Sequence, residues 1–169
     1  MVSESPAPDP NDDFHAPGEP FFLKTTAQAF ADAGFPISSM GDVLELGVYV
    51  TTAVKCGKVG YAVPTAAVKA CSALLEAELS LFPNLTVILA MGDVAIAAIN
   101  EIGRRQTGRR TIPAGSTYKL RGPEYFLDGI RVFPSYLQTG KSFLIEKSKR
   151  EMIAADLRTA LGVIGLHPR

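Results

Sequence analysis

Residues 130–142 of the chain read IRVFPSYLQTGKS. A short β-branched run stops at Pro134, and a loop with a serine, a tyrosine, a leucine, a glycine and a lysine follows. A long amphipathic segment comes after the loop. Open α/β sheets hold their ligands between the end of a strand and the next helix. We therefore predict that the 135–141 loop is functional and that the rest of the chain is a scaffold that presents it.

Length and composition indicate the class of protein. The chain has 169 residues, of which 47% are apolar and 20% are charged, so we predict one domain, residues 1–169, with a full hydrophobic core. No apolar run approaches the length of a membrane span, and the amino terminus lacks the basic and apolar regions of a signal peptide. Two cysteines do not make a disulfide framework. We expect a cytoplasmic protein without membrane contact.

Opposite charges are separated along the chain, although Lys+Arg and Asp+Glu both number 17. Residues 1–19 carry five acids and no Lys or Arg, whereas residues 104–121 carry six basic residues and no acid. This separation permits an anionic polymer to lie along one side of the molecule, although many solvated surfaces share it.

Runs of β-branched residues and helical spacing of apolar residues divide the chain into alternating elements. We predict strands in residues 1–6, 42–55, 86–91 and 131–133. We predict helices in residues 24–33, 65–81, 93–102 and 146–161, and a hairpin that pairs 118–120 with 125–127. Loops are expected over residues 5–20, 56–64 and 103–116. The expected fold is α/β, a three-layer α/β/α sandwich with a central four-stranded, mainly parallel sheet.

Two familiar kinds of site are disfavoured. His15 and His167 are the only histidines, which argues against a Ser-His-Asp triad or a multi-histidine metal site. Gly140-Lys141-Ser142 resembles the end of a phosphate-binding P-loop. The motif requires a first glycine that four residues separate from its final Gly-Lys, and Ser135 stands at that position, so we disfavour nucleotide hydrolysis.

Short motifs follow the predicted strand ends in a fixed order. They are Ser3-Glu4-Ser5-Pro6-Ala7, Gly18-Glu19-Pro20-Phe21, Val48-Tyr49-Val50-Thr51-Thr52-Ala53-Val54-Lys55-Cys56, Met91-Gly92 and Phe133-Pro134-Ser135-Tyr136-Leu137. The carboxyl ends of parallel strands share one edge, so these motifs can line one pocket. Taken in order, they resemble the motifs of the uracil-DNA glycosylase superfamily, closest to its iron–sulfur (family 4-like) branch, over nearly the whole chain.

The resemblance implies catalytic and stacking roles. Glu4, Asp9 and Asp13 are the carboxylates that would position water or stabilise an oxocarbenium-like sugar. Phe21 would stack on a base flipped out of the DNA. The ordinary alternatives stay open, because a solvated acidic loop explains the aspartates and core packing explains Phe21.

The resemblance also implies DNA contacts in the opening stretch. Ser135, Tyr136, Leu137 and Lys141 would touch the DNA from an exposed loop tip, with Leu137 as a wedge in the gap left by the flipped base. A solvated surface is the alternative explanation for Lys141.

Two base-binding positions depart from the family pattern. Phe133 stands where the family has a histidine that donates to the leaving base, and Thr52 replaces an asparagine that reads the base edge. Loss of one such donor raises a barrier by about 3–4 kcal/mol. These departures motivate an alternative hypothesis, a catalytically silent DNA-binding module of the same fold.

The cysteines bear on the cofactor. By resemblance, Cys56 and Cys71 are remnants of a [4Fe–4S] site, whose cluster takes four thiolates. We therefore expect no cofactor unless upstream cysteines exist, and we favour the interpretation of both residues as small buried side chains.

Together the motifs predict an enzyme, a DNA base-excision glycosylase that hydrolyses the N-glycosidic bond of uracil or a related damaged base after base flipping. Its expected partner is single- or double-stranded DNA with a damaged base, and we expect a monomer.

Overall fold

The structure is a computed structural model that describes residues 1–58, 60 and 62–168. Five strands lie in these residues: β1 (Val2–Ser3), β2 (Thr51–Thr52), β3 (Val87–Met91), β4 (Tyr125–Leu127) and β5 (Ile130–Ser135). The helices are α1 (Phe21–Asp32), α2 (Met40–Glu45), α3 (Thr65–Leu79), α4 (Asp93–Thr107), α5 (Thr117–Leu120), α6 (Ser142–Ile145) and α7 (Lys147–Val163). Val59 and Tyr61, within the predicted 56–64 loop, lie outside the described residues.

The sheet has the strand order β2-β1-β3-β5-β4, and only β4 is antiparallel to its neighbour. The α/β class and the mainly parallel sheet are confirmed, but the sheet has five strands rather than four. The extra strand arises because Asp128-Gly129 forms a two-residue hairpin turn. Its φ angles of 48° and 79° are typical of the turns whose twist matches that of the flanking strands. This turn pairs β4 with β5. The predicted hairpin between 118–120 and 125–127 is wrong, because residues 117–120 form α5.

Helices cover both faces of the sheet. On one face α1 and α7 pack over a core that includes Phe30, Phe143 and Leu157. On the other face α3 and α4 pack over a core that includes Leu75 and Ile99. Because successive side chains of a strand point to opposite faces, each central strand contributes to both cores. The predicted three-layer arrangement is confirmed.

The predicted buried strand over 42–55 is wrong over most of its length. Ser39 and Asp42 form a capping box that begins α2. Such a pair favours a helix because it hydrogen-bonds backbone N–H groups that are free at a helix start. Hydrogen bonds from the Ser38 backbone, and then from the side chains of Ser38 and Ser39, lower the pKa of Asp42 to about 2. Only Thr51–Thr52 remains as strand, and both residues are half-buried.

Helix α4 is longer than predicted and takes up the first part of the basic 103–116 segment. It ends at Gly108, whose φ of 73° places it in the left-handed region that suits glycine after a helix. The following loop folds back along α4, where Ile112 N–H donates to Asn100 Oδ1 at 2.7 Å. In the described part of the chain, no helix is long and apolar enough to cross a membrane.

Candidate functional site

The carboxyl ends of four strands form a row across the sheet. Thr52 of β2 pairs with Ser3 of β1, Met91 of β3 pairs with Ser135 of β5, and the register of β1 on β3 sets Ser3 beside Met91. With about 4.8 Å between strands, the row spans about 15 Å. We call these four residues the motif edge. The motifs that follow the strands therefore start from one side of the sheet, as expected.

Glu4 directly follows β1 at the motif edge. Its Oε1 accepts a hydrogen bond from Lys58 Nζ at 2.8 Å, and only 17% of the Glu4 side chain and 20% of the Lys58 side chain are exposed. The Glu4 carbonyl accepts from Val54 N–H at 3.0 Å. Glu4 is thus a largely buried carboxylate whose charge is balanced by one lysine.

The two predicted aspartates differ in what they contact. Asp13 is half-buried, and its Oδ2 accepts from Ala7 N–H at 2.9 Å, which closes the loop that follows β1. Asp9 is exposed, and its Oδ1 accepts from the Asn11 backbone N–H at 2.9 Å. The Asp9 carboxylate therefore caps its own turn. The Asp13 carboxylate uses Oδ2 to close the loop, and its Oδ1 lies in the same loop.

Phe21 is the first residue of α1 and is half-buried. Its ring centre lies 6.4 Å from that of Phe22, and Phe22 in turn makes an edge-on contact with Phe14 at 5.1 Å. Phe14 and Phe22 are buried in the α1/α7 core, and Phe21 packs against that core from its margin. An aromatic face is therefore available at Phe21 without loss of the packing beneath it.

Phe133 lies inside β5, opposite Leu89 and two residues before Ser135. At about 3.3 Å per residue it sits roughly 6–7 Å below the motif edge. The Arg131 guanidinium lies 4.7 Å from the centre of its half-buried ring, a cation–π geometry. Phe133 is thus a packing residue of the strand that offers no hydrogen-bond donor to a base.

Ser135 is fully buried, and its hydroxyl is engaged in a polar network. Ser135 Oγ donates to Asp156 Oδ2 at 2.6 Å. Arg121 holds both oxygens of the same carboxylate, at 2.7 and 2.8 Å, and donates to Met152 O at 2.8 Å. The network ties the end of β5 to α7 and to the segment after α5. The Ser135 hydroxyl is therefore placed to fix the loop rather than to reach a DNA backbone.

The loop tip is less exposed than predicted. Tyr136 and Leu137 are half-buried against the α1/α7 core, and Lys149 Nζ lies 5.6 Å from the Tyr136 ring centre. Leu137 packs on Gly92 so closely that a Cβ there would lie 3.1 Å from the Leu137 Cβ. The predicted exposed Tyr-Leu tip is wrong in this structure, and of the predicted loop contacts Lys141 alone is exposed.

Gln138 is a residue that the sequence analysis missed. Its side chain is fully buried, and among the described residues neither its amide nitrogen nor its amide oxygen has a hydrogen-bond partner. The next residue, Thr139, has its hydroxyl 3.4 Å from Ser3 Oγ, so this part of the loop lies over the motif edge. An unpaired buried amide costs about 1–3 kcal/mol, and no sequence pattern marks such a residue.

The basic run from 104 to 121 does not form one surface. Helix α4 starts at the motif edge and is about 22 Å long, so Arg104–Arg110 lies toward the opposite edge of the sheet. Arg105 is paired with Glu76 at 2.7 Å. Lys119, by contrast, lies in α5, whose first residue Thr117 donates to Asp93 Oδ1 at 3.1 Å at the start of α4. That an anionic polymer lies along this side of the molecule stays a prediction.

The cysteines do not form a metal site by themselves. Cys56 is exposed and Cys71 is partly buried, so the interpretation of both as buried side chains is wrong for Cys56. Among the described residues, no group of three or more His, Cys, Asp or Glu side chains could hold a metal. Two thiolates do not fit the four-ligand requirement of a [4Fe–4S] cluster.

A large cavity lies away from the motif edge. It has a volume of about 530 Å³ and is bounded by Met1, the segment Gly47–Tyr49, and Val87–Leu89 of β3. These residues lie at the amino ends of the parallel strands. The cavity and the motif residues therefore belong to opposite edges of the sheet.

The fold is a mainly parallel α/β/α sandwich, and acidic, aromatic and polar residues follow its strand ends. Together these features define a class of ligand-binding α/β proteins. A family model described as "Uracil DNA glycosylase superfamily" matches residues 8–156, and the chain belongs to this family. Over 133 residues the chain is 32% identical to a Thermus thermophilus protein named "Type-5 uracil-DNA glycosylase". The alignment covers 78% of this chain and 58% of the relative, so the chain spans less than two thirds of the relative's length. The predicted superfamily is confirmed.

Proposed function

We propose that the chain binds DNA and hydrolyses the N-glycosidic bond of uracil or a related damaged base in a flipped nucleotide. The main support is family membership over residues 8–156, together with a motif edge that carries the matching residues. We further propose a monomeric, single-domain protein of the cytoplasm that acts in base-excision repair of DNA.

The proposed reaction is a displacement at the sugar C1′. The oxygen of a water molecule bonds to C1′, the C1′–N bond breaks, and its electron pair leaves with the base, which takes up a proton. Asp13 is the carboxylate best suited to orient the water and accept its proton, because one of its oxygens already fixes the loop and the other is available. Glu4, neutralised by Lys58, would stabilise positive charge on the sugar less effectively.

Recognition of the base would depend on few polar groups. Phe21 offers a face for stacking, worth about 1–3 kcal/mol per base, and Thr52 offers one hydroxyl. Phe133 provides no donor to the leaving base. We propose that the amide of Gln138 supplies the donor that Phe133 lacks and the paired donor and acceptor that the single hydroxyl of Thr52 does not offer.

DNA contacts would come from the loop after Ser135. Lys141 is exposed and suits a phosphate contact. Leu137 would have to leave its packing on Gly92 to enter a base stack as a wedge. We therefore propose that this loop shifts when DNA binds, while the Ser135–Asp156 hydrogen bond holds its first residue in place.

The second candidate, a silent DNA-binding module, is favoured by one observation. The side chain at position 133 is a phenylalanine inside the strand, beneath Arg131, so the donor of the family reaction is absent there.

Cleavage of labelled oligonucleotides that contain uracil, hypoxanthine or xanthine tests both candidates. We expect abasic product from at least one base, and we expect Asp13→Asn to slow single-turnover cleavage by about 10²-fold. Asp9→Asn is the matched control and should keep nearly full rate, because asparagine preserves the cap. DNA binding without product from any substrate would favour the silent module. Absence of DNA binding at low salt would exclude both.

A further inference from the structure

An exposed apolar pair follows the loop that starts at the motif edge. Helix α6 is about one turn long, and its Phe143 is buried in the α1/α7 core. Because successive residues of a helix are about 100° apart, the next two side chains point away from that core. Leu144 is 55% exposed and Ile145 is 82% exposed. We call these two residues the apolar tip.

The apolar tip lies beyond the motif edge. Asp156 of α7 contacts Ser135 at the motif edge, whereas Ile164, directly after α7, lines the cavity at the amino ends of the strands. The first half of α7 therefore extends past the motif edge. Arg150, six residues before Asp156, lies 5.6 Å from the Phe143 ring centre. At 1.5 Å per residue, Phe143 and the apolar tip after it are roughly 9 Å beyond Asp156 along α7.

The backbone holds the apolar tip as a corner between two helices. Phe143 N–H donates to Gly140 O at 2.9 Å, and Glu146 N–H donates to Ser142 O at 2.8 Å. Glu146 has φ of −97° and ψ of 89°, which ends α6 before α7 begins at Lys147. The corner is thus hydrogen-bonded on both sides and anchored in the core by one aromatic ring.

The surroundings of the apolar tip are mainly basic. Residues 141–151 carry four basic side chains and two acids. Lys141 before the tip and Lys147 after it are both exposed. The acid nearest Lys147 is Glu151, at 3.8 Å, and both members of this pair are largely solvated. Such a pair has little energy, so Lys147 remains available to another anion.

Apolar and basic residues in this order favour one kind of ligand. Single exposed apolar side chains are common on proteins, but here two neighbours occupy a corner between exposed lysines. Duplex DNA complements that arrangement, because its stacked bases are apolar and phosphates flank them on both sides. Proteins that kink duplex DNA insert Leu or Ile between base pairs, and lysines contact the phosphates. A single strand has no paired stack to open, so it offers less to the same corner.

We propose that the apolar tip enters the base stack of double-stranded DNA beside the flipped nucleotide, with Lys141 and Lys147 on the adjacent phosphates. This inference rests on the proposed binding of DNA at the motif edge, and it makes double-stranded DNA the preferred substrate. Because Leu137 is packed on Gly92, the apolar tip is the first apolar group of this segment that the DNA meets.

A fluorescent reporter at the apolar tip tests the proposal. The chain contains no tryptophan, so Ile145→Trp introduces a single one. The probes are a short duplex with a central tetrahydrofuran abasic analogue, which has no base to remove, and the strand that carries this analogue alone. We expect duplex binding, followed by anisotropy of a labelled probe, to quench the tryptophan by at least about half. Leu81→Trp, at a position that is 74% exposed and precedes β3, is the matched control and should not be quenched.

Serine variants measure the contribution of the apolar tip to affinity. Leu144→Ser combined with Ile145→Ser should weaken duplex binding about tenfold and single-strand binding less than about twofold. Leu81→Ser should change neither. Since all three side chains are exposed, we expect these variants to unfold at nearly the same temperature as the unchanged chain.

Other outcomes would overturn the proposal. Duplex binding without quenching, or equal losses on duplex and single strand, would refute it and leave the proposed function standing. Absence of all DNA binding at low salt would refute the proposed function and this inference with it. A concentration-dependent dimer of the DNA-free chain that the serine variant abolishes would make a second copy the occupant. An emission shift of the Ile145→Trp chain on phosphatidylglycerol vesicles, with none on DNA, would assign the apolar tip to a lipid surface.

Discussion

The two edges of the sheet differ in how their strands end. At the motif edge the strand ends are covered by loops, and Ser3, Ser135 and Thr139 are buried. At the opposite edge a cavity of about 530 Å³ lies among Met1, Gly47–Tyr49 and Val87–Leu89. The motif edge is the one that the family resemblance identifies, yet the large open cavity is at the other. The difference shows that cavity size and chemical function need not coincide in one molecule.

The closed state of the motif edge has a functional consequence. Leu137 packs on Gly92 and Gln138 is buried, so the proposed binding of a flipped base would require the 136–141 loop to move. Asp156 and Arg121 hold the start of this loop. The loop thus has a fixed first residue and a more exposed end at Lys141, a suitable arrangement for a segment that opens on DNA.

The largest expected effect comes from the polar networks of the two edges. Asp156→Ala should lower the free energy of unfolding by about 3 kcal/mol, because it removes the carboxylate that balances the Arg121 charge and accepts from Ser135 where little solvent reaches. Glu78→Ala, in the network beside Met1, should cost only about 1 kcal/mol, since its pair with Lys55 is more exposed. Urea unfolding of both variants measures the difference. Equal losses would mean that the edges are held equally tightly.

A pH titration tests the edge of the sheet that holds the cavity, where the Met1 amine lies. The folded pKa of the Met1 amine is about 5 and its unfolded value is about 8, so the unfolded state binds more protons between these values. Stability should therefore fall as the pH is lowered from 8 to 5, by an amount on the order of 3 kcal/mol. An Nα-acetylated chain should lack this loss. Identical pH profiles would show that the amine is not desolvated.

Substitution of Gln138 should separate stability from function at the motif edge. Gln138→Met removes an unpaired buried amide, so we expect a gain of about 1 kcal/mol in unfolding free energy. Cleavage or binding of uracil DNA should weaken, because the base loses a polar partner. Thermal unfolding and the oligonucleotide assay measure the two effects. Unchanged cleavage and binding would show that Gln138 takes no part in base recognition.

The smallest effect distinguishes the basic residues of the two edges. Lys141→Ala should weaken DNA binding about threefold and lower the salt slope of the affinity by about 1, as expected for one phosphate contact. Arg109→Ala, at the far end of α4, is the matched control and should change neither. Fluorescence anisotropy over a range of salt concentrations measures both. A larger effect at Arg109 would place the DNA on the other edge.

Local sequence patterns predicted several elements well. The β-branched runs of β3 and β5 are confirmed, because strands covered on both faces of a parallel sheet read as nearly continuous apolar runs. The helix that follows Gly92 is confirmed as well. Residues 42–55 misled the prediction because Val43 and Leu46 suit a helix as well as a strand. The capping box at Ser39 and the Asp128-Gly129 turn are recognisable in the sequence. They indicate the start of α2 and the β4–β5 hairpin, which the prediction did not include.

The candidate site was predictable only in part. Motif order placed Thr52 and Ser135 at one edge, since parallel strands fix the direction of their ends. The hydrogen bond from Ser135 to Asp156 joins residues 21 positions apart, and that from Arg121 to Asp156 joins residues 35 apart. No local pattern encodes such pairs. Nor could the sequence show that Gln138 is buried without a hydrogen-bond partner among the residues that the structure describes.

Hydrogen exchange of the chain with and without a uracil-containing oligonucleotide tests the central claim, which is that DNA is bound and acted on at the motif edge. We predict slower exchange in the 4–13 segment and at residues 135–141, with no change in Gly47–Tyr49. Protection confined to Gly47–Tyr49 and Val87–Leu89, or no protection anywhere, would contradict the claim.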